Sequence, residues 1–115
     1  QMPRFPGCED VEGDNSEKKA CADQNLLRFI YQNITYPDIA RENGVEGMAV
    51  VRFMVTEYGT ITDFKILRDP GSGCGREARR VMQLMNELPR RWAPGQQRGK
   101  KVRVIYNLPV RFKLN

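Results

Sequence analysis

The sequence predicts a two-layer α+β domain in which two helices cover one face of a small antiparallel sheet. Two segments alternate apolar and polar residues with the period of a β-strand, one starting near Gly47 and one near Val102. Two further segments repeat apolar residues every three or four positions, as amphipathic helices do. Because 115 residues is the usual size of one domain, we expect all four segments to share a single core.

Residues 1–16 are predicted to form an irregular, acidic N-terminal arm, and the folded domain is predicted at 17–115. Prolines and glycines among the acidic residues of the arm interrupt both kinds of period. Cys8 and Cys21 lie on either side of its most polar stretch. We expect a disulfide between them, which would tether the arm and contribute about 3 kcal/mol. Such a bridge requires an oxidising compartment.

The first helix is expected to run from about Glu17, with an apolar stripe formed by Leu27, Ile30, Tyr31 and Ile34. It must stop by Tyr36, because the residue before Pro37 is disfavoured in helical geometry. Pro37 then opens a short helix that Asn43 and Gly44 close.

The first alternating segment is predicted to form one strand of an antiparallel hairpin. One of its faces consists of Ala49, Val51, Phe53 and Val55. After a turn at Gly59, β-forming residues continue from Ile61 to Arg68. The alternation slips between Ile61 and Phe64, which predicts a β-bulge. A second main helix follows the glycine-rich break, ends at Pro89, and has an apolar stripe of Ala78, Val81, Met82, Met85 and Leu88.

The last segment alternates without interruption from Val102 to Leu114 and is predicted to be one long strand. Pro109 lacks the N–H that a central strand needs, so we expect this strand at a sheet edge. If the N–H that Pro109 lacks belongs to the outward side of the strand, the backbone N–H groups of residues 103, 105 and 107 point outward as well. A peptide that adds to the sheet as a further strand is therefore expected to pair with Lys101, Val102, Arg103, Val104, Ile105, Tyr106 and Asn107.

The charge of the chain is divided unevenly, with a net −4 over residues 1–75 and a net +9 over residues 76–115. Such a basic half suits nucleic acid, anionic lipid or an acidic protein segment, and composition does not choose among them. The sequence has no histidine, and its carboxylates fall into no catalytic motif. We therefore predict no enzyme, no metal site and no cofactor, and we expect Cys74 to pack as a small apolar residue.

The order and spacing of many residues resemble the C-terminal domain of TonB proteins over about residues 36–114. The residues that carry the resemblance are Tyr36-Pro37, Ala40, Gly44, Gly47, Val51, Phe53, Val55, Gly59, Ile61, Ile66, Glu77-Ala78, Trp92, Pro94-Gly95, Val102, Val104, Tyr106, Leu108-Pro109-Val110 and Phe112. The resemblance implies a three-stranded antiparallel sheet backed by helices. It also implies a periplasmic domain of a longer protein, anchored in the inner membrane and joined to proton-driven motor proteins through its N-terminal part.

In that family the last strand pairs with the TonB box, a short segment near the N-terminus of an outer-membrane transporter. The resemblance thus implies that Lys101 to Asn107 bind the TonB box and that Tyr36 and Pro37 lie near the docked peptide. The frequent family motif Gln-Pro-x-Tyr-Pro reads Asn-Ile-Thr-Tyr-Pro here, at residues 33–37. The first Gln and the first Pro are therefore missing, while backbone pairing needs neither.

Two other functions stay open at this point. TonB-like domains are also appended to membrane sensor proteins and peptidases, and only sequence upstream of this segment separates those from a transducer. A basic nucleic-acid-binding domain is the second alternative, although exposed aromatic residues for base stacking are missing. A free edge strand is also compatible with a homodimer.

Overall fold

The computed structural model describes residues 1–114, so Asn115, the last residue of the predicted domain, lies outside the described residues. The elements in chain order are α1 Asn15–Asn33, α2 Asp38–Glu42, β1 Gly47–Val55, β2 Ile61–Arg68, α3 Cys74–Leu84, β3 Gly95–Gln97, β4 Lys100–Val102 and β5 Val104–Phe112. A 3-10 turn, Met85–Glu87, continues α3. The predicted α+β class and the three-stranded antiparallel sheet are confirmed.

β1 is the central strand of the main sheet, whose order is β2-β1-β5. It pairs antiparallel with β5 in nine consecutive pairs, from Gly47 opposite Phe112 to Val55 opposite Val104. β3 and β4 form a separate two-stranded hairpin. The long regular ladder between β1 and β5 leaves β5 at an edge of the main sheet, as its proline requires.

One face of the main sheet is buried against the helices. The predicted inner face of β1 is buried along its whole length, and β5 adds Leu108, Val110 and Phe112. Ile30 of α1 and Val81 and Met82 of α3 are at most 1% exposed. Each large apolar side chain buried in this way contributes roughly 1.5–3 kcal/mol, so these residues hold the two layers together.

The helix α1 begins at Asn15, slightly before the predicted start. Asp14 explains the difference, because its Oδ1 accepts a hydrogen bond of 2.9 Å from the backbone N–H of Glu17 and caps the first turn. The helix ends at Asn33, before Tyr36, as Pro37 predicts.

The hairpin of β1 and β2 contains the predicted bulge. Arg52 pairs with Lys65 and Met54 with Thr62, so β2 has one residue more than β1 between these pairs. Asp63 lies at φ 57, a left-handed conformation that accommodates the extra residue. Asn86 then fixes the start of β2, because its side chain bonds both the N–H of Ile61 at 2.9 Å and the carbonyl oxygen at 2.8 Å.

The prediction of one continuous strand from Val102 to Leu114 is wrong. The segment is interrupted at Arg103 and divided into β4 and β5, and β5 ends at Phe112. Lys100–Val102 turns back on Gly95–Gln97 because Arg98 and Gly99 both have positive φ, 54° and 77°. Two such residues form the tight turn that suits a two-residue hairpin loop.

The N-terminal arm belongs to the core, which its sequence did not indicate. Phe5 is buried, and its ring packs against Trp92 and Phe29 with centroids 5.7 and 5.6 Å apart. Arg4 and Ala93 exchange backbone hydrogen bonds of 3.0 and 2.9 Å. Cys8 and Cys21 are joined by a disulfide with a Cα–Cα distance of 6.0 Å. The arm is thus fastened at both of its ends.

Candidate peptide-docking edge

The main sheet has two edges, β2 and β5, and they differ in regularity. The ladder of β2 is shifted at two places, between Val50 and Val51 and between Arg52 and Met54 of its partner strand. The ladder of β5 is regular over all nine pairs. A straight row of unpaired backbone groups is what an added strand requires, and bulges disrupt it. The edge of β5 is therefore the better template.

A hydrogen bond from Arg111 establishes which backbone groups of β5 point outward. The N–H of Arg111 donates to Tyr31 Oη of α1 at 3.2 Å, and so points away from β1. Alternate residues of a strand direct their N–H and C=O groups to the same side. Ile105, Asn107 and Pro109 therefore face outward as well. Pro109 lies at a position where the missing N–H breaks no bond to β1.

The unpaired part of this edge is short. Tyr31 occupies the outward N–H of Arg111 at one end, and the chain leaves the strand at Arg103 at the other end. Between these limits, Ile105 and Asn107 present outward N–H groups on the side of β5 where no strand of residues 1–114 is paired. These two residues offer two donors and two acceptors to an incoming peptide.

A groove of about 260 Å³ lies beside this edge. It is lined by Met2, Pro3, Lys19, Asp23, Ile105, Tyr106, Asn107, Leu108 and Pro109. Lys19 and Asp23, one turn apart on α1, form an ion pair of 2.7 Å on its wall. Ile105 is 55% exposed, which is unusual for a large apolar side chain in a strand. The groove therefore combines apolar contact surface with one polar wall.

Tyr106 is the aromatic residue that lines the groove. Its ring stacks on Phe53 with centroids 5.4 Å apart and meets Trp92 edge to face at 5.4 Å. Burial raises the pKa of the Tyr106 hydroxyl, and the nearby Asp23 carboxylate raises it further. The phenol is therefore neutral at physiological pH and acts as a hydrogen-bond donor or acceptor at the groove.

Arg103 lies at the break between β4 and β5. Its Nε lies 3.1 Å from Glu57 Oε2, next to the turn of the β1–β2 hairpin. The hydrogen bond to Glu57 raises the pKa of Arg103. Because the Arg103 side chain is 62% exposed, we expect the pair to orient the chain more than to stabilise it.

The predicted binding segment, Lys101 to Asn107, is divided between two strands. Lys101 and Val102 lie in β4, opposite Gln96 and Gly95 of β3. Arg103 lies between the strands, and Val104 to Asn107 lie in β5. Within β5, Ile105 and Asn107 are exposed, while Val104 and Tyr106 are half-buried on the helix side. The predicted segment is therefore not one straight template.

The structure does not bring Tyr36 and Pro37 together with this segment. The Tyr36 ring meets Phe112 edge to face at 5.5 Å, and its hydroxyl donates to the carbonyl oxygen of Val45. Phe112 lies six positions beyond Tyr106 in β5, about 20 Å along the strand. Tyr36 and Pro37 instead line a groove of about 570 Å³ between α2 and α3. Burial raises the pKa of the Tyr36 hydroxyl.

A comparison with protein families identifies the domain. The family model described as the C-terminal part of the Gram-negative bacterial TonB protein matches residues 32–114. The chain belongs to the TonB C-terminal domain family. In TonB proteins this domain is periplasmic, is related to transport and interacts with outer-membrane transporters. No curated protein matches the chain.

Solved structures of TonB C-terminal domains have the same fold. The solution structure of the Helicobacter pylori TonB domain, residues 179–285, has a TM-score of 0.63 at 20% identity and covers 91% of this chain and 98% of that one. The solution structure of a shorter version, residues 194–285, has a TM-score of 0.58 at 18% identity and covers 78% of this chain and 90% of that one. At these identities the similarity supports the fold alone. Among residues 1–114, none of the helices combines the length and apolarity that crossing a bilayer requires.

Four residues of this TonB C-terminal domain line the groove although no motif indicated them. Met2 and Pro3 come from the arm, and Lys19 and Asp23 come from α1. The one signal in the sequence that the arm lies near α1 was the pair of cysteines, because a disulfide from Cys8 to Cys21 holds the arm beside this helix. The direction of the arm depends on pairing with residue 93, far away in sequence, and no local pattern encodes that contact.

Proposed function

We propose that this TonB C-terminal domain is the periplasmic part of an energy transducer anchored in the inner membrane. It binds the TonB box of outer-membrane transporters by strand addition to β5, and transmits inner-membrane proton-motive energy, received through motor proteins, for nutrient uptake. The observation that supports this most directly is the regular, unpaired edge of β5, with the outward N–H groups of Ile105 and Asn107. The family match supports the partner class.

The edge offers moderate binding energy. The two donors and two acceptors of Ile105 and Asn107 form at most four backbone hydrogen bonds, each with a net contribution of about 1 kcal/mol. Their sum of roughly 4 kcal/mol corresponds to a Kd near 1 mM, before the cost of ordering the peptide. Side chains of the peptide must therefore bury surface in the groove between Tyr106 and Met2. We expect weak binding whose selectivity depends on this groove.

A second copy of the chain would compete for the same template. Strand addition needs an unpaired edge, and β5 offers one such edge per molecule. If a homodimer forms through β5, transporter peptides therefore dissociate it. Sedimentation of the chain with and without peptide tests this, because binding that leaves a dimer intact would place the dimer contact elsewhere.

The decisive experiment is an NMR titration with peptides copied from the N-termini of transporters of the same cell. We expect amide shifts along Val104 to Asn107 and at Lys19, and none with a scrambled peptide. Substituting Asn107→Pro removes one outward N–H without removing a bond to β1 and should abolish binding, whereas Asn107→Ala should preserve it. Equal binding by both variants, or shifts confined to β2, would contradict docking at β5.

A further inference from the structure

The face of the sheet turned away from the helices forms a second continuous surface. Residues opposite one another in neighbouring strands lie on the same face, so the register assigns its members. From one end to the other they are Arg111 and Met48; Pro109, Val50 and Arg68; Asn107, Arg52 and Lys65; and Ile105, Met54 and Thr62. We call this surface the open face.

The residues that the register pairs on the open face carry charges of one sign. Arg52, Lys65, Arg68 and Arg111 are cationic, and the exposed Asp63, in the bulge of β2, is the acidic residue next to them. Arg52 and Lys65 are directly opposite each other, an arrangement that destabilises a sheet. Glu57, at the margin, is paired with Arg103 instead. The open face therefore retains a net positive charge that an anionic partner would neutralise.

The apolar residues of the open face lie between these cations. Met48, Val50 and Met54 of the central strand are half-buried, while Lys65, Arg68 and Arg111 on the flanking strands are exposed. An apolar centre with a charged rim, enriched in Met and Arg, is the composition of protein interfaces. The flexible thioether of Met adapts to partners of different shape.

A depression at one end of the open face provides a concave contact. Its volume is about 360 Å³, and it is lined by Glu46, Gly47, Met48, Arg111, Phe112 and Lys113. The carboxylate of Glu46 accepts a hydrogen bond of 2.7 Å from the N–H of Leu114. Arg111 and Lys113 are thus the exposed cations here, beside the apolar Met48 side chain.

We propose that the open face is a second docking surface, which binds an acidic protein segment carrying apolar side chains. A protein segment fits better than nucleic acid, because no aromatic side chain of the open face is available for base stacking. It fits better than a lipid surface, because Ile105 is the one strongly exposed large apolar side chain among these paired residues, and the central apolar residues lie among longer cations. The open face shares Ile105 and Asn107 with the β5 edge, whereas Lys65 and Arg68 lie on β2, on the far side of the sheet, so variants of these two residues test the open face separately.

Methyl NMR of the full chain tests this, because the five methionines report on different places. Met48 and Met54 lie on the open face, Met82 and Met85 are buried in the core, and Met2 lines the β5 groove. The probe is a synthetic peptide that alternates Glu with Val and Gly, and its control carries Gln in place of Glu. We expect shifts at Met48 and Met54 only, with the acidic peptide only.

Charge variants provide the second comparison. The pair Lys65→Gln and Arg68→Gln should weaken binding of the acidic peptide about tenfold and reduce its salt dependence. Arg28→Gln and Arg41→Gln, both exposed on helices, remove the same charge and should leave binding unchanged. An equal loss of affinity for the acidic peptide in both double variants would overturn the proposal, because it would indicate attraction by net charge alone.

Other outcomes distinguish this proposal from docking at the edge. Shifts at Met2 alone would overturn the open-face proposal and leave strand addition to β5 intact. Shifts at Met48 and Met54 would support the open face even if transporter peptides failed to dock at β5. If phosphatidylglycerol vesicles or a DNA duplex shifted these methyl groups and the acidic peptide did not, the partner class would be wrong.

Discussion

Glu77 connects the end of α1 to α3 through hydrogen bonds in two directions. Its Oε2 accepts from the backbone N–H of Thr35 at 2.7 Å, and its Oε1 accepts from Arg80 Nε at 2.7 Å. Arg80 also reaches the carbonyl oxygen of Asn33 at 3.0 Å. The hydrogen bond from Arg80 lowers the pKa of Glu77, and the Thr35 amide lowers it further against the effect of burial.

We predict that Glu77→Gln lowers the free energy of unfolding by about 1–2 kcal/mol at pH 7. Because the folded pKa is lowered, this stabilisation is present above the unfolded value of 4.5 and is lost as the pH falls through the lower folded value. Urea unfolding at pH 7 and pH 3 checks the prediction. The exposed Glu87→Gln serves as control, and a difference between wild type and Glu77→Gln that is independent of pH would refute it.

Gly59 permits the turn after β1 to approach the loop at Trp92. Its φ is 80°, and a Cβ at this position would lie 2.2 Å from the carbonyl oxygen of Trp92. We predict that Gly59→Ala costs roughly 2–4 kcal/mol, from left-handed strain together with displacement of the backbone. Gly44, at φ 65° in open space, is the matched control. Gly44→Ala should cost only about 1 kcal/mol, the left-handed strain alone, and equal shifts in Tm for the two variants would contradict the role of the close approach.

Among the elements, β5 makes the most specific prediction. The N–H groups of Tyr106 and Leu108 point to β1, and those of Ile105 and Asn107 point outward. Hydrogen exchange along β5 should therefore alternate, slow at Tyr106 and Leu108 and at least about tenfold faster at Ile105 and Asn107. Bound transporter peptide should slow the fast pair alone. Uniform protection along β5 in the free chain would disprove the outward direction of these amides.

The long elements could be predicted from the sequence, because each repeats its pattern several times. Four inward residues in β1 and the stripe of α3 specify both period and face. The hairpin of β3 and β4 could not be predicted, because strands of three residues contain too little alternation to detect. The sequence does alternate apolar and polar residues across Arg103, and this led to the prediction of one long strand. The turn at Arg98 and Gly99 instead pairs the residues before Arg103 with β3.

The candidate site was predictable only in its main strand. Pro109 correctly indicated an edge, because its missing N–H has a direct geometric consequence. The place of Tyr36 beside Phe112 depends on how α2 folds back on the sheet, which no local spacing encodes. The same holds for the arm residues that line the groove.

At the scale of the whole molecule, the disulfide determines whether the arm belongs to the domain. It closes a loop between residues 8 and 21, next to the buried Phe5. We predict that Cys8→Ser with Cys21→Ser lowers the free energy of unfolding by about 3 kcal/mol. A reducing agent should destabilise the wild type by a similar amount and leave the double variant unchanged. Identical urea midpoints for all samples would indicate that the arm is held by packing alone.

The ladder between β1 and β5 determines the order in which the chain can fold. Gly47 and Phe112 are partners although most of the domain lies between them in sequence. A chain that emerges N-terminus first therefore completes β1, β2 and α3 before the strand that covers the second side of β1 exists. Until β5 has emerged, β1 is itself an open edge of the sheet. Pairing between strands so far apart in sequence is slow. The domain consequently folds as one unit after its last strand has emerged, and a chain truncated before β5 should aggregate.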